Sequence, residues 1–413
     1  MKKVLMIAYH FPPEEGSCSD KNIKILKALV DSGLEVDVLT VGNYNSDEKF
    51  YNCSVIRVKG GIFHKSINCV KNESIDKKRN YNSIKNKLKK LIQKNIIPDS
   101  IIDWYPNVIM WAKKNRVEIE NYGVILSISS PYSVHLISKK LSDIYKVPFI
   151  CSYGDPWIYE SSRYRGKIRY KIEYFLEKGV IRKARKIFVI TEYNRQKYMQ
   201  LYDIDSRNID TFNIGFDANN IKKKNQNTEG ELKFIYGGSL NPVHRNVEPF
   251  IKAIKGKDNI IVKIYNEDFH EVHSMVEKYQ VNNIVKIRKL IPSNMFNEEL
   301  YKSNVLLLFG NKTIYQVPGK LFEFMSTGTH ILYIKNNNDE NDNTEKILKE
   351  YGNVTIVENN EKSISNGIKE IISKKDRLNI KCNKYKFEYH ITMASIVKGV
   401  KTVLQDKSKE TKI

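Results

Sequence analysis

Long apolar runs are missing from this sequence of 413 residues. No segment approaches the roughly 20 apolar residues that a membrane-spanning helix needs. The apolar run in the opening MKKVLMIAYHFPPEEG is short, breaks at Pro12-Pro13 and lacks a small-x-small cleavage site. We interpret it as a buried strand and not as a signal peptide. We therefore expect a protein that is not integral to a membrane.

Cysteine is also scarce. The sequence has five cysteines and no C-x-x-C pair: Cys18, Cys53, Cys69, Cys151 and Cys382. An odd number without paired spacing argues against a zinc site or a disulfide framework and favours a reducing compartment, which predicts a cytoplasmic protein. We find no Asp-x-Asp pair that points to a required metal ion. Helix-turn-helix, RNP and zinc-finger signatures are absent too, so nothing supports nucleic-acid binding.

Acidic residues are few relative to basic ones, with 47 Asp and Glu against 69 Lys and Arg, a net charge of +22. Two windows, one from Lys65 to Lys94 and one from Arg163 to Lys186, each hold ten basic and two acidic residues. Within the first window, lysines fill the gaps between apolar residues at helical spacing: Ile84, Leu88, Leu91 and Ile92. Such a basic amphipathic helix can lie on anionic lipid. A solvated basic face is the alternative.

The length and the 41% hydrophobic content predict two domains, because one core of this size is uncommon. A strand at 4–8, a helix at 20–32 and a strand at 35–41 form a βαβ opening, which predicts a right-handed parallel sheet. Further strands are expected at 124–128, 148–152 and 186–190. This first domain is predicted to cover residues 1–218.

A polar stretch at 219–231 is typical of a linker. The alternation then restarts, with strands expected at 232–236, 260–265, 284–287, 305–309, 331–334 and 354–357. We expect a second doubly wound domain at 232–390 and a C-terminal helix at 391–413 that packs back toward the first domain.

Loops after the strands of such sheets bind ligands. In the first half, Gly16 lies in the loop after the opening strand, and Asp155 is held between Gly154 and Pro156 after a later one. A carboxylate fixed in this way could bind substrate hydroxyls or act as a general acid or base. An Asp that only forms a turn before Pro has the same pattern. His10 and His135 are possible sugar or acceptor contacts, and packing is the alternative.

The second half carries two phosphate-seeking patterns. Gly237-Gly238 follows its first strand and leads to Arg245, which brings backbone and a basic side chain near a ligand. The second is VPGKLFEFMSTG, from Val317 to Gly328, which predicts a helix with Pro318 at its first position. A capped core helix would share this pattern.

In that second pattern, Gly319 allows close approach of a ligand and Lys320 adds a charge at a helix start that favours anions. Leu321 belongs to the packing face and also adjoins the predicted ligand site. Glu323 lies about 5 Å further along the axis, which is a plausible reach from a diphosphate to the hydroxyls of a ribose.

Taken in order, these motifs resemble those of bacterial GT-B glycosyltransferases of family four: HFPPEEG, SSPYSVH, YGDPW, YGGSL with Arg245, and PGKLFEFMSTG. The resemblance implies two Rossmann-like doubly wound domains that face each other across a cleft. It implies that the second domain binds a nucleotide sugar and the first receives the acceptor. Glu323 matches the carboxylate on the ribose, Arg245 the basic residue on the diphosphate, and Gly16 the loop glycine facing the donor.

Two positions depart from the family pattern. Tyr315 stands where an earlier glutamate is usual, and Ser239 replaces a common basic residue. The catalytic residues expected are Asp155, Arg245 and Lys320, and no metal or other cofactor is expected. The donor site is predicted to contain Gly16, Gly238, Arg245, Gly319, Lys320, Leu321 and Glu323.

The resemblance implies transfer of a hexosyl or N-acetylhexosaminyl group, with retention, to a lipid-linked or oligosaccharide acceptor in O-antigen, lipopolysaccharide or capsule synthesis. The two basic windows would hold such an enzyme peripherally on the inner face of the cell membrane. A GT-B sugar-nucleotide epimerase or phosphorylase would share the nucleotide site and is one alternative. A non-enzymatic basic binding protein is another.

Overall fold

The chain divides into two compact units, Met1–Ile214 with Met393–Ile413, and Gly215–Thr392. The computed structural model describes residues 3–43, 48–64, 93, 95–160, 165–221, 230–238, 240, 245–266, 269–337, 339–378 and 382–410. The sequence-based division lies after residue 218, four residues beyond the one observed. Most of the predicted linker, residues 222–229, and nearly all of the first basic window lie outside the described residues.

The first unit is built on a sheet of eight strands within the described residues. They are β1 (Val4–Ala8), β2 (Val36–Val41), β3 (Lys49–Phe50), β4 (Cys53–Val58), β5 (Val124–Ser129), β6 (Phe149–Tyr153), β7 (Lys186–Val189) and β8 (Ile209–Thr211). Their order is β3-β4-β2-β1-β5-β6-β7-β8. Only the β3–β4 pair among them is antiparallel. The central strands are buried throughout and mostly apolar, as expected for a parallel sheet covered on both faces.

The helices described in this unit are α1 (Ser17–Asp31), α2 (Tyr105–Lys114), α3 (Arg116–Asn121), α4 (Ser133–Tyr145), α5 (Lys167–Lys183) and α6 (Glu192–Tyr202). Helix α6 begins where the Thr191 side chain accepts a hydrogen bond from the Asn194 amide at 3.0 Å, an ordinary N-cap. None of the helices within the described residues has both the length and the apolar character that crossing a bilayer requires.

The second unit contains a six-stranded sheet among its described residues. Its strands are β9 (Leu232–Gly237), β10 (Ile260–Tyr265), β11 (Val285–Arg288), β12 (Val305–Phe309), β13 (His330–Lys335) and β14 (Val354–Glu358). All its pairs are parallel and the order is β11-β10-β9-β12-β13-β14. This is the doubly wound order, in which the direction of winding reverses between β9 and β12.

The second unit's helices are α7 (Glu248–Ala253), α8 (Phe269–Lys278), α9 (Ser293–Tyr301), α10 (Lys320–Ser326), α11 (Asn343–Tyr351), α12 (Glu361–Ser373) and α13 (Tyr389–Thr392). The chain then returns to the first unit as α14 (Ala394–Glu410). Helix α14 packs there: Lys401 donates to the Ser32 carbonyl at 2.8 Å, and Lys407 donates to the Tyr122 carbonyl at 2.8 Å.

The predicted α/β class with two parallel-dominated sheets is confirmed. Three strands were not predicted: β3, β4 and β8. Strands β3 and β8 have only two and three residues, and β4 is interrupted by polar residues, so none has the continuous apolar run of a central strand.

Helix α5 reverses the usual arrangement of a surface helix, because its two acidic residues are buried. Glu173 accepts from Arg165 at 2.7 Å, from Arg169 at 2.6 Å and from the Trp157 indole at 3.2 Å. Glu177 accepts from the Tyr198 and Tyr202 hydroxyls, both at 2.6 Å, and from the Ile158 amide at 3.1 Å. These hydrogen bonds compensate for the burial of both carboxyl groups.

Stability should depend on pH through Glu177. Burial raises the pKa of Glu177 from 4.5 to about 7, against the hydrogen bonds it accepts. The folded protein therefore retains a proton that the unfolded chain releases, and the stability from this group, full below about pH 4.5, is lost as the pH rises to 7. Relative to Glu177→Gln, the wild-type free energy of unfolding should fall by on the order of 3 kcal/mol across that range.

Denaturant titrations of both proteins from pH 4.5 to 8 measure this difference. Glu120→Gln, which removes an exposed carboxylate on α3, is the control and should leave the wild-type pH profile unchanged. Parallel profiles for wild type and Glu177→Gln would mean that the pKa of Glu177 is the same in the folded protein and in the unfolded chain.

Candidate functional site

The candidate donor site lies where β9 and β12 end side by side. Gly237 and Gly238 continue from β9, and Gly310 and Asn311 follow β12. This edge is the switch point of the second sheet, at which open α/β sheets bind ligands.

Arg245 connects the two strand ends. Its guanidinium donates to the Tyr236 hydroxyl at 3.3 Å and to the Asn311 side-chain oxygen at 3.2 Å. Burial raises the pKa of the Tyr236 phenol, and the positive charge of Arg245 opposes that shift. The arrangement holds a permanent cation at the switch point, with its planar fork suited to phosphate oxygens.

Lys320 reaches the same edge from α10. Its ammonium donates to the Gly237 carbonyl and lies 6.0 Å from the Tyr236 ring centroid and 5.7 Å from that of Phe296. Gly238 has φ 134°, and a Cβ there would lie 2.5 Å from the Lys320 nitrogen. The glycine turn and the lysine are therefore fitted to each other, and any larger residue at 238 would displace the ammonium.

The motif helix begins later than predicted. Helix α10 starts at Lys320, and Pro318 precedes it, with its carbonyl accepting from the Leu321 amide at 2.9 Å. Gly319 has helical backbone angles and open space around its Cα. The Leu321 side chain is buried, which is the packing role its position predicted. Gly328, with φ 69°, follows the end of the helix.

Glu323 is half-buried and lies in the first turn of α10. It is therefore about one helical turn from Lys320, the spacing that the sequence predicted. Tyr315, which stands in place of the usual earlier glutamate, is buried. Ser239 lies outside the described residues.

A set of asparagines surrounds this edge and was not predicted. Asn359 donates to the Asn246 carbonyl at 2.9 Å and to the Asn336 side chain at 3.3 Å, and Asn337 donates to the Asn311 carbonyl at 3.2 Å. The sequence signal for them was position, since four of them lie within two residues of the end of β12, β13 or β14. Amide groups at this position can both donate to and accept from a polar ligand.

In the first unit, Gly16 and Asp155 also follow strands β1 and β6. Gly16 has φ 129°, precedes α1 and has no atom within 4 Å of where a Cβ would lie. Asp155 is half-buried. Both residues belong to the first unit, whereas Gly238, Arg245 and Lys320 belong to the second.

Lys21 is a buried cation that the sequence did not single out. It extends from α1 to the end of β5, where its ammonium donates to the Ser129 carbonyl at 2.5 Å. A Cβ at Gly154 would lie 2.5 Å from the same nitrogen. Burial lowers the pKa of Lys21, and the nearby Cys18 and Asp155 oppose the shift. This lysine fixes the strand ends beside Asp155.

The two histidines have structural contacts. His10 pairs with Glu14 at 2.8 Å. His135 is fully buried, with one ring nitrogen 2.8 Å from the Ser127 hydroxyl and its ring centroid 4.3 Å from that of Tyr153, the two ring planes being tilted by 41°. Burial, together with the charge of Lys21, lowers the pKa of His135 to about 3. Packing is therefore the better interpretation of His135.

The sequence does contain one Asp-x-Asp pair, Asp203-Ile204-Asp205. Asp205 is exposed, accepts from the Arg207 amide at 2.8 Å and pairs with the Arg207 side chain at 2.7 Å. No group of three His, Cys, Asp or Glu residues that could hold a metal ion is found in the described part of the chain.

The fold is similar to solved structures over nearly the whole chain. Sucrose-phosphate synthase from Thermosynechococcus elongatus matches with a TM-score of 0.67 at 12% identity, covering 98% of this chain and 99% of that one. The chain has a GT-B fold. Other GT-B neighbours include HepE from Anabaena in complex with UDP and glucose, with a TM-score of 0.60, 12% identity and coverage of 100% of both chains.

A further GT-B neighbour is WaaG, a glycosyltransferase involved in lipopolysaccharide biosynthesis, with a TM-score of 0.59 at 12% identity over 96% of this chain and 100% of that one. No family model matches the sequence, and no curated protein matches it. The fold predicted from the ordered motifs is confirmed.

Proposed function

We propose that this protein is a retaining glycosyltransferase of GT-B family four, which moves a sugar from a nucleotide-sugar donor to a lipid-linked glycan acceptor. The observation that carries the proposal is the pair of cations, Arg245 and Lys320, at the switch point of the second sheet. HepE, which has the same fold, has been solved with UDP-glucose. That structure supports a nucleotide sugar as the ligand class.

The proposed chemistry is stabilisation of the leaving group. Breaking the bond between the sugar and the diphosphate leaves negative charge on phosphate oxygens, while the sugar becomes oxocarbenium-like. Arg245 and Lys320 would meet that charge without a metal ion, since both are already held in place by the protein. Gly238 and Gly319 would allow close approach of the diphosphate, and Glu323 would accept from the ribose hydroxyls.

In the first unit, Asp155 is proposed to receive the acceptor hydroxyl, and Gly16 to face the donor. Lys21 supports this assignment for Asp155 because it fixes the adjoining strand ends. The acceptor is proposed to belong to O-antigen, other lipopolysaccharide or capsule synthesis, with the enzyme held peripherally at the cytoplasmic face of the membrane. WaaG supports this assignment through its role in lipopolysaccharide biosynthesis.

A panel of nucleotide sugars incubated with the protein and an acceptor extract tests the activity, with released nucleoside diphosphate as the readout. One donor is expected to give release that depends on acceptor and is unchanged by EDTA. By calorimetry, Glu323→Gln should bind the corresponding nucleoside diphosphate roughly tenfold more weakly, because hydrogen bonds to a charged acceptor are stronger. Glu370→Gln, an exposed change in α12, is the matched control.

Other results would support the alternatives. Epimerisation of the donor sugar without any acceptor would favour a sugar-nucleotide epimerase, and consumption of phosphate would favour a phosphorylase. Loss of activity with EDTA and recovery with magnesium would contradict the metal-free chemistry. Absence of nucleotide binding would favour the remaining alternative, a non-enzymatic basic binding protein.

A further inference from the structure

Helix α5 presents apolar side chains to solvent along one stripe. Ile168 is 79% exposed, Ile172 is 44% exposed and Phe175 is 67% exposed. Their spacing of four and three residues puts them on the same face of the helix. A surface helix of a globular protein ordinarily turns such residues inward.

The orientation of this helix is fixed by its opposite face. Glu173 and Glu177 are both fully buried and together accept hydrogen bonds from two arginines, two tyrosines, an indole and a backbone amide. Rotating the helix to bury the apolar stripe would break all of these contacts and leave two carboxyl groups without their hydrogen-bond partners. The fold itself therefore keeps the apolar stripe exposed.

The exposed face of the helix is cationic as well as apolar. Lys167, Lys171 and Arg182 are exposed, and both acidic residues of the helix face inward. An apolar stripe flanked by basic side chains is the pattern of a helix that lies in a membrane interface, with its apolar residues among the acyl chains and its cations at anionic headgroups. A contiguous exposed patch of this kind marks an interaction site.

We infer that the stripe formed by Ile168, Ile172 and Phe175 inserts into an anionic lipid surface and docks the first unit there. The inference rests on the proposed function in that a lipid-linked acceptor requires such docking. It adds an apolar contact to the charge attraction that the sequence alone predicted. Because apolar contact is not screened by salt, part of the binding should persist at high ionic strength.

The same helix connects this surface to the candidate acceptor loop. The loop after β6 carries Asp155 and continues into Trp157, whose indole donates to Glu173 and whose carbonyl accepts from Arg165 at 2.6 Å. The next amide, of Ile158, donates to Glu177. The buried face of α5 thus holds the acceptor loop, while its exposed face meets the lipid.

Sedimentation with vesicles of phosphatidylglycerol and phosphatidylcholine tests the inference. The triple variant Ile168→Ser/Ile172→Ser/Phe175→Ser should partition at least tenfold more weakly than wild type at 0.15 M salt. The matched control is Met110→Ser/Val117→Ser, which removes exposed apolar side chains from α2 and α3 and should bind as wild type does. Phe175→Trp should give a blue-shifted emission with vesicles that brominated lipids quench.

Nucleotide binding separates this inference from the proposed function. The triple variant should keep its affinity for nucleoside diphosphate and its rate on a water-soluble acceptor, and should lose rate on acceptor embedded in vesicles. If nucleotide binding is absent in wild type, the proposed function fails while vesicle binding can still be scored.

Four results would overturn the inference. Wild type that does not bind the vesicles at low salt, or a triple variant that binds equally well, would exclude insertion. A dimer in sedimentation velocity that the triple substitution dissolves would assign the stripe to contact between copies. A marked fall in melting temperature of the triple variant would mean that another part of this chain covers the stripe.

Discussion

Replacing Lys320 with methionine is expected to lower the rate of nucleoside diphosphate release by roughly 10²–10³-fold, the usual effect of removing one preorganised donor from developing charge. The ammonium is held at the switch point by the Gly237 carbonyl and by two aromatic rings, so it needs no rearrangement when the bond to the diphosphate breaks. Methionine keeps much of the length and the apolar stem of the side chain. Steady-state rates with the donor identified by the screen measure the effect.

Melting temperature and kinetics together decide the role of Lys320. The rate should fall far more than the affinity for nucleotide, because Lys320 is proposed to stabilise negative charge that develops on the diphosphate in the transition state. Lys369→Met, an exposed change on α12, should leave both unchanged. A loss of rate that is matched by loss of folded protein would instead give Lys320 a structural role through Gly237.

Arg165→Met is expected to destabilise the first unit by about 3–5 kcal/mol, because it leaves Glu173 buried with one of its cations removed. Both side chains are almost inaccessible, with 5% of Arg165 and 0% of Glu173 exposed. Arg165 also donates to the Trp157 and Glu160 carbonyls, so the variant leaves those acceptors unsatisfied as well. Denaturant unfolding followed by tryptophan fluorescence measures the loss.

The exposed pair of Arg116 and Glu120 supplies the comparison. Its arginine is 72% exposed, and Arg116→Met should leave the free energy of unfolding nearly unchanged, because exposed ion pairs contribute little to stability. Adding Glu173→Gln to Arg165→Met should restore part of the lost stability, since it removes a buried charge that only Arg169 would still balance. Equal losses for Arg165→Met and Arg116→Met would mean that the buried pair contributes no more than a surface pair.

The strands of both sheets could be predicted because their burial on two faces demands continuous apolar sequence. Strands β1, β10 and β12 have the predicted bounds. Strands β3 and β8 could not be predicted, since pairing at a sheet edge requires only two or three residues and leaves little pattern.

A residue of the candidate site could be predicted only where it belonged to a short motif in the sequence. Gly238, Arg245 and Lys320 each stand in a short motif after a strand, and the structure brings those three together. Lys21 was not predictable, because its contact with Ser129 joins positions 108 residues apart. The asparagines were missed for the same reason: each is an ordinary loop residue until the fold brings the strand ends together.

In the second basic window, from Arg163 to Lys186, the sequence did not reveal which side chains are buried. From the sequence, Glu173 and Glu177 fall between lysines and arginines and would be expected on the solvated side of a charged helix. The buried Glu177 accepts hydrogen bonds from Tyr198 and Tyr202 of α6, and the buried Glu173 accepts one from the Trp157 indole in the loop after β6. Helical periodicity in one segment contains no information about partners on the next, so the inward direction of the acids could not be foreseen.

The return of α14 to the first unit has a consequence for synthesis on the ribosome. Val400 of that helix is fully buried, and a Cβ at Gly399 would lie 2.5 Å from the Phe188 ring, so the first unit is closely fitted to a segment translated after the whole second unit. At ordinary elongation rates the ribosome needs roughly 10–40 s to make the intervening unit. During that time the nascent first unit must wait with the surface for α14 uncovered, whereas the second unit, being one continuous stretch, can complete its fold as soon as it leaves the exit tunnel.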